Sequence, residues 1–330
     1  MPAETPTTAT EGGRFSTLHP DIIKYHVLTR LDGPSLGSAA CCSSTLRHLS
    51  FSDDLWSSIC RSTWPSTASP RLSRLISTFP GGGARAFFSQ AYPILSDAGR
   101  RNGRPPPPEL ISAVDIHFNG ELIFSKVQET ETDSDWFRCS PFRVDLLEPK
   151  DAVPTPIRLP AAAEEDCAEV AGGMTLSWIL VDPAGGRAVN LSSIRPVGAR
   201  RHWLTGEVQV RYLSVVAAAH VQCGVVVTCG EKEGGGGLVQ VREVSLEMED
   251  VDGTRLNGRD SLIFLQGALD GGRGTGRNRV EEGLRRYGEY VEMRRERRER
   301  RMRREGVMDV LCVAFGVCAF LLFCCFLVCG

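Results

Sequence analysis

No apolar stretch stands near the start of this sequence: residues 1–17 are rich in Thr, Glu and Gly, so a secretory signal is not expected and the folded part should stay in the cytosol. No C-x-x-C pair occurs among the twelve cysteines. Five of them (Cys312, Cys318, Cys324, Cys325 and Cys329) lie in one C-terminal apolar run and the other seven are scattered. That spacing argues against a disulfide framework or a zinc site and for small buried hydrophobes in a reducing compartment. Cys223 and Cys229 share a valine-rich segment but lack further metal ligands. There is no P-loop and no H-E-x-x-H, and the six histidines are far apart. No catalytic residue, metal or cofactor is therefore assigned. Large net charge is also lacking, at -2, but eight Arg and four Glu crowd between Glu292 and Glu305. No nucleic-acid partner is expected.

What is present divides by composition. Residues 1–17 offer little to bury and read as disordered. From Leu18 to about Tyr92 the apolar spacing is helical: Ile23, Val27 and Leu31, then Leu46 and Leu49, Leu55 and Ile59, Leu72, Leu75 and Ile76. Ser52-Asp53-Asp54 marks a helix start, and Asp32-Gly33-Pro34 and Trp64-Pro65 mark breaks. The Pro105–Pro108 run reads as a linker. Beyond it, seven runs of alternating or β-branched character follow: Val114–Phe118, Phe142–Leu146, Thr175–Val181, Glu207–Val216, His220–Thr228, Leu238–Met248 and Leu262–Leu265. Turn signals lie at Asn119-Gly120, Asp182-Pro183 and Asp252-Gly253. No helix of crossover length separates these runs, which disfavours a doubly wound nucleotide-binding sheet and predicts an antiparallel sandwich or open barrel. The expected class is α+β. Its parts are a helical module over 18–64, a helical extension and Pro-rich linker over 65–108, a β-rich domain over 109–270, an Arg/Glu-rich helix over 278–306 and an apolar helix over 310–329.

Val310–Cys329 is twenty residues without a charge. As a helix such a run would span about 30 Å of hydrocarbon, and its Leu, Phe and Val residues would favour insertion by about 4 to 7 kcal/mol. The expectation is a single-pass membrane tail inserted after translation, oriented by the upstream arginines with the N-terminal domains in the cytosol. Its modest length points mildly to the endoplasmic reticulum. Membrane lipid would then be a partner, and Cys312 a candidate for acylation. Over residues 280–305 the same arginines also suit a solvated helix, with Glu296–Arg300 and Glu299–Arg303 at four-residue spacing.

The order Leu18-His19-Pro20-Asp21-Ile22-Ile23, Val27-Leu28-Thr29-Arg30-Leu31, Ser35-Leu36, Ala39-Ala40-Cys41-Cys42, Leu46-Arg47-His48-Leu49 and Asp54-Leu55-Trp56 resembles an F-box. His19 separates Leu18 from Pro20, and Leu46 stands where Trp is common in that motif. Further phrases look like one plant-specific F-box family: Thr63-Trp64-Pro65-Ser66, Phe79-Pro80-Gly81, Phe87-Phe88, Ser125–Glu131, Cys139–Asp145 and Arg201–Val210. The resemblance covers roughly Leu18 to Phe264. It implies a substrate receptor of an SCF-type ubiquitin ligase, without catalytic residues of its own. Leu18, Pro20, Ile23, Val27, Leu28, Leu31 and Leu36 would contact a Skp-type adaptor and, through it, cullin, while Leu46, Leu55, Trp56 and Ile59 would hold the helices together. An unknown protein target would be bound by the β domain. His202 and Trp203, beside Arg200 and Arg201, are the candidate target-binding residues there, since an aromatic with basic neighbours can form a binding surface. The competing reading is a tail-anchored lectin-like or scaffolding protein without ligase coupling.

Overall fold

The computed structural model describes residues 18–92, 95–97, 105–158, 164–216, 221–231, 238–273 and 279–329, and these divide into two units between Ser89 and Gln90. In the first unit, side chains that satisfy free amides set the helix starts. Helix α1 (Pro20–Ile22) begins with His19 accepting from the Asp21 amide at 3.3 Å, then runs into a π turn (Ile23–Val27) and a 3-10 turn (Leu28–Arg30). Asp32 accepts from the Ser35 amide at 3.0 Å to start α2 (Gly33–Cys42), and hydrogen bonds from Ser35 hold its carboxyl below the usual range. Ser43 caps α3 (Ser44–Ser50) through the Leu46 amide at 3.1 Å. Helix α4 (Asp53–Thr63) starts where the sequence indicates, but Ser52 makes no capping bond. Asp53 instead accepts from the amide of Ala84, near the start of α6 (Gly83–Ala91), at 3.0 Å. Between them lies α5 (Pro70–Ser77).

An aromatic cluster fills this unit. Trp56 and Trp64 meet Phe88 at 5.4 and 5.2 Å, and Phe79 meets Phe87 edge-on at 5.4 Å. Leu28, Leu36 and Leu72 are fully buried. Gly33 permits the closest approach: a Cβ there would fall 2.1 Å from Phe88 Cζ.

The second unit contains two antiparallel sheets. One has the order β3-β2-β6-β7, from β2 (Glu109–Phe118), β3 (Glu121–Glu131), β6 (Met174–Asp182) and β7 (Arg187–Asn190). The other has the order β4-β11-β10-β9-β8, with β5 also paired to β11. Its strands are β4 (Arg143–Asp145), β5 (Val153–Arg158), β8 (Gly198–Arg201), β9 (Val208–Val216), β10 (Val221–Glu231) and β11 (Leu238–Glu249). A short β1 (Leu95–Asp97) pairs with β12 (Gly272–Arg273). The Asn119-Gly120 signal joins β2 to β3 with both residues at positive φ, 50° and 86°, as a tight hairpin requires. One continuous core draws on both sheets, including Val114, Trp178, Tyr212, Val225 and Leu246, so the domain is sandwich-like. Trp178 Nε1 donates to Ser112 Oγ at 3.1 Å within it.

Helices α7 (Asp135–Cys139), α8 (Glu164–Gly173) and α9 (Gly258–Asp270) complete the domain. The apolar run Leu262–Leu265, expected as a strand, lies inside α9. Asn257 accepts from the Asp260 amide at 2.8 Å and starts the helix, which buries Leu262, Leu265 and Leu269. A run of four apolar residues fits either period, and here the cap decides. The Pro105–Pro108 segment is tied down: the Pro108 carbonyl accepts from the Thr132 amide at 2.9 Å, and that of Pro105 from Gln266 Nε2 at 3.0 Å.

The largest correction concerns the C-terminus. The separate juxtamembrane and transmembrane helices expected over 278–306 and 310–329 are one continuous helix, α10 (Arg279–Cys329). Among the described residues no helix is long and apolar enough to cross a membrane. Described side chains run without a gap only to Leu321, and a window of about 20 residues ending there takes in Arg303, Arg304, Glu305 and Asp309. The side chains at 322, 323, 326, 328 and 329, on which the apolar count also leaned, lie outside the described residues. The membrane-spanning tail, the single-pass placement and the lipid partner are therefore not upheld. The ion pairs expected along this helix do form, Arg300–Glu296 at 3.0 Å and Arg303–Glu299 at 3.8 Å.

Candidate functional site

The first candidate surface is built by the changing pitch of the Pro20–Arg30 segment. An inward row, Ile23, Leu28 and then Leu36 from α2, is buried. An outward set, Leu18, Ile22 and Tyr25, is 39%, 45% and 58% exposed; Ile22 and Tyr25 are three residues apart on the helical turns, and Leu18 lies just before the N-cap His19. Pro20 is exposed beside it, and Val27 and Leu31 are half-buried. Thr29 Oγ1 donates to the Tyr25 carbonyl at 2.8 Å, and the Lys24 ammonium lies 5.2 Å from the Tyr25 ring centroid. The seven residues singled out for the adaptor thus separate. Leu18 and Pro20 face out, Val27 and Leu31 sit at the boundary, and Ile23, Leu28 and Leu36 pack inward. Leu55, Trp56 and Ile59 are buried, and Leu46 is half-buried. Sequence reasoning missed Ile22 and Tyr25, although their three-residue step was the available signal. So many apolar side chains left in water on one small unit is the chemistry of an interface rather than of a pocket.

The second candidate surface is the turn between β8 and β9, residues 202–207. The His202 amide donates to the Glu207 carbonyl at 2.7 Å and the Gly206 amide to the His202 carbonyl at 2.9 Å, with Gly206 at φ +70°. The Thr205 amide donates to His202 Nδ1 at 3.2 Å, while Glu207 is held by Arg242 at 3.2 Å. On this braced turn Trp203 is 88% and Leu204 70% exposed, and the Trp203 ring stacks with His202 at 6.3 Å. The structure therefore brings His202 and Trp203 together, with Arg200 and Arg201 ending the strand before them. Among the described residues Arg200 bonds the neutral Gln209, at 2.8 and 3.0 Å.

Cys223 and Cys229 are core residues of β10, and burial pushes both thiols up to about 12; a more distant Glu207 charge adds to the effect at Cys229. Cys60 in α4 is raised likewise to about 12 by burial and by the Asp53 charge. Among the described residues no group of three His, Cys, Asp or Glu could hold a metal. These thiols yield a prediction. Iodoacetamide at pH 8 should label the exposed Cys41, Cys42 and Cys139 in the native chain and spare Cys60, Cys223 and Cys229 until denaturant is added, as peptide mapping would show. The pH dependence has a definite sign. The folded state retains a proton that the unfolded chain releases above the ordinary thiol value of 9.0, so stability falls as pH rises from there toward 12. The loss is at most about 1.4 kcal/mol per pH unit for each thiol. Urea midpoints flat between pH 9 and 11 would contradict it.

Three curated proteins of Arabidopsis thaliana resemble the chain along most of its length. A protein named as a probable F-box protein is 48% identical over 318 residues, which is 96% of this chain and 93% of that relative. A second, named as an F-box protein, is 44% identical over 322 residues, covering 94% and 95%. A third, also named as an F-box protein, is 40% identical over 287 residues, covering 82% and 78%. No family model matches the chain, and no solved structure matches it.

Proposed function

This chain belongs to the plant F-box protein family, and from that premise we propose that it is a non-catalytic substrate receptor of an SCF-type ubiquitin ligase. In this reading the helical module over 18–64 binds a Skp-type adaptor and, through it, cullin. The β-rich domain over 109–270 holds a protein target so that ubiquitin is delivered from elsewhere in the complex. The observation that carries the proposal is the outward set Leu18, Ile22 and Tyr25. The unit already has a closed aromatic core, so these residues are not needed to complete it, and leaving them in water is understandable if a partner covers them. The half-buried Val27 and Leu31 border that set and would close the rim of the contact. Ile23, Leu28 and Leu36 would act indirectly, by fixing the helix that presents it.

Co-expression with a Skp-type adaptor tests this reading. The wild-type chain should co-purify with the adaptor. The Ile22→Asp/Tyr25→Asp variant should keep the wild-type circular dichroism and lose the adaptor, because a carboxylate cannot be desolvated against an apolar face. Equal recovery of adaptor with the variant would overturn the assignment of this surface.

A further inference from the structure

We propose that the β8–β9 turn is the target-docking element of the β domain and that it takes a peptide segment in which carboxylates alternate with large apolar residues. The proposal rests on the receptor reading and names the surface and the chemistry of its target. Trp203 and Leu204 stand in water on a turn that backbone bonds and the His202–Thr205–Glu207 side-chain bonds hold rigid, so little order is lost when they are covered. Tryptophan and arginine are both enriched among the residues that anchor interfaces. The acidic half of the specificity comes from the arginines beside it. Arg201 donates from Nη1 to the Gly206 carbonyl at 3.3 Å, while its Nε and Nη2 are buried with no acceptor among the described residues. Those two nitrogens form one edge of the guanidinium, the pair that grips a carboxylate through two parallel hydrogen bonds.

Leaving such donors without a partner away from water is costly, and a target carboxylate that the Arg201 side chain meets by swinging out from beside the braced turn removes that cost. Among the described residues Arg200 bonds the neutral Gln209 and no carboxylate, whereas the neighbouring Glu207 is engaged by Arg242. A nucleic acid is the less favoured occupant. Tracking a phosphate backbone needs an extended basic groove, while this patch offers two arginines and the chain as a whole carries a net charge of -2.

Fluorescence anisotropy with the full chain decides the matter. The probes are a labelled pool of short peptides rich in Asp, Glu, Leu and Phe, the same pool with Lys at every acidic position, and a labelled oligothymidine. The acidic pool should bind and the other two should not. Trp203→Ala and Arg201→Gln should each weaken binding about tenfold or more. Both variants should still co-purify with the Skp-type adaptor, so that failure here is separate from failure of the receptor reading. The proposal is overturned if the acidic pool does not bind, if it binds both variants as well as wild type, or if the Lys pool or the oligothymidine binds equally.

Discussion

Replacing Arg187 by alanine is expected to cost the β domain about 3 to 5 kcal/mol, a large share of a typical domain's margin of about 5 to 15 kcal/mol. Arg187 leads β7 with its guanidinium shielded from solvent. Its Nη2 donates to Asp182 at 2.6 Å and its Nη1 to Asp270 at the end of α9. Burial opposes the guanidinium's charge, but the bonds and charges of Asp182 and Asp270 prevail and its pKa lies above the ordinary value. The three groups tie the β6–β7 turn to a helix far away in sequence, and Asp182 also accepts from the Gly185 amide at 2.8 Å. Removing the cation leaves two carboxylates facing each other in a dry site, which is worse than having no charges there at all. The urea midpoint should fall sharply in Arg187→Ala. An Arg187→Leu/Asp182→Asn/Asp270→Asn combination should recover much of the loss. A shift below about 1 kcal/mol in Arg187→Ala would mean that the site is wetter than its geometry implies.

Trp64→Ala should be equally damaging in the helical unit, by about 3 to 5 kcal/mol. Trp64 is buried at the end of α4, packs on Phe88 at 5.2 Å and meets Phe87 edge-on at 6.1 Å. No neighbouring side chain can fill the space an indole leaves, because Phe87 and Phe88 are anchored on α6 and Gly33 already lies against the Phe88 ring. Pulse alkylation of Cys60, one turn before Trp64, reports the loss locally: labelling should appear at much lower urea than in wild type. The adaptor should be lost as well, but together with the fold. In Ile22→Asp/Tyr25→Asp the adaptor should be lost while Cys60 stays protected, and that contrast separates a contact surface from the core that supports it.

The strands were the most legible part of the sequence, for a physical reason. In β9 and part of β11 burial alternates from residue to residue, so alternation survives in the sequence, whereas β2, β6 and β10 are buried on both faces for much of their length and showed as runs rich in apolar and β-branched residues; Asn119-Gly120 marked its hairpin through the backbone angles it must adopt. Strand β3 was hidden because its second half, Ser125–Glu131, is mostly polar and partly exposed. The stretch Leu262–Leu265 misled because four apolar residues carry no period, whereas Asn257, three residues before Asp260, held the decisive cap. In the candidate adaptor surface, motif resemblance selected aliphatic positions without distinguishing inward from outward. The turns of α1 and the π segment make that distinction, and they bring Ile22 and Tyr25 to the outside. Trp203 was legible as an exposed aromatic, but the unpaired edge of Arg201 depends on how the turn closes over it. The apolar C-terminal run shows the limit of composition: its continuity with the charged part of α10 is a property of the helix and not of the run alone.

Titration calorimetry of a purified Skp-type adaptor into the full chain, repeated at several temperatures, tests the central claim most directly. The account predicts binding with a negative heat-capacity change, the mark of apolar surface leaving water. It also predicts an affinity about a hundredfold weaker in Ile22→Asp/Tyr25→Asp at unchanged fold. No heat of binding with the wild-type chain, or the same affinity in the variant, would contradict it.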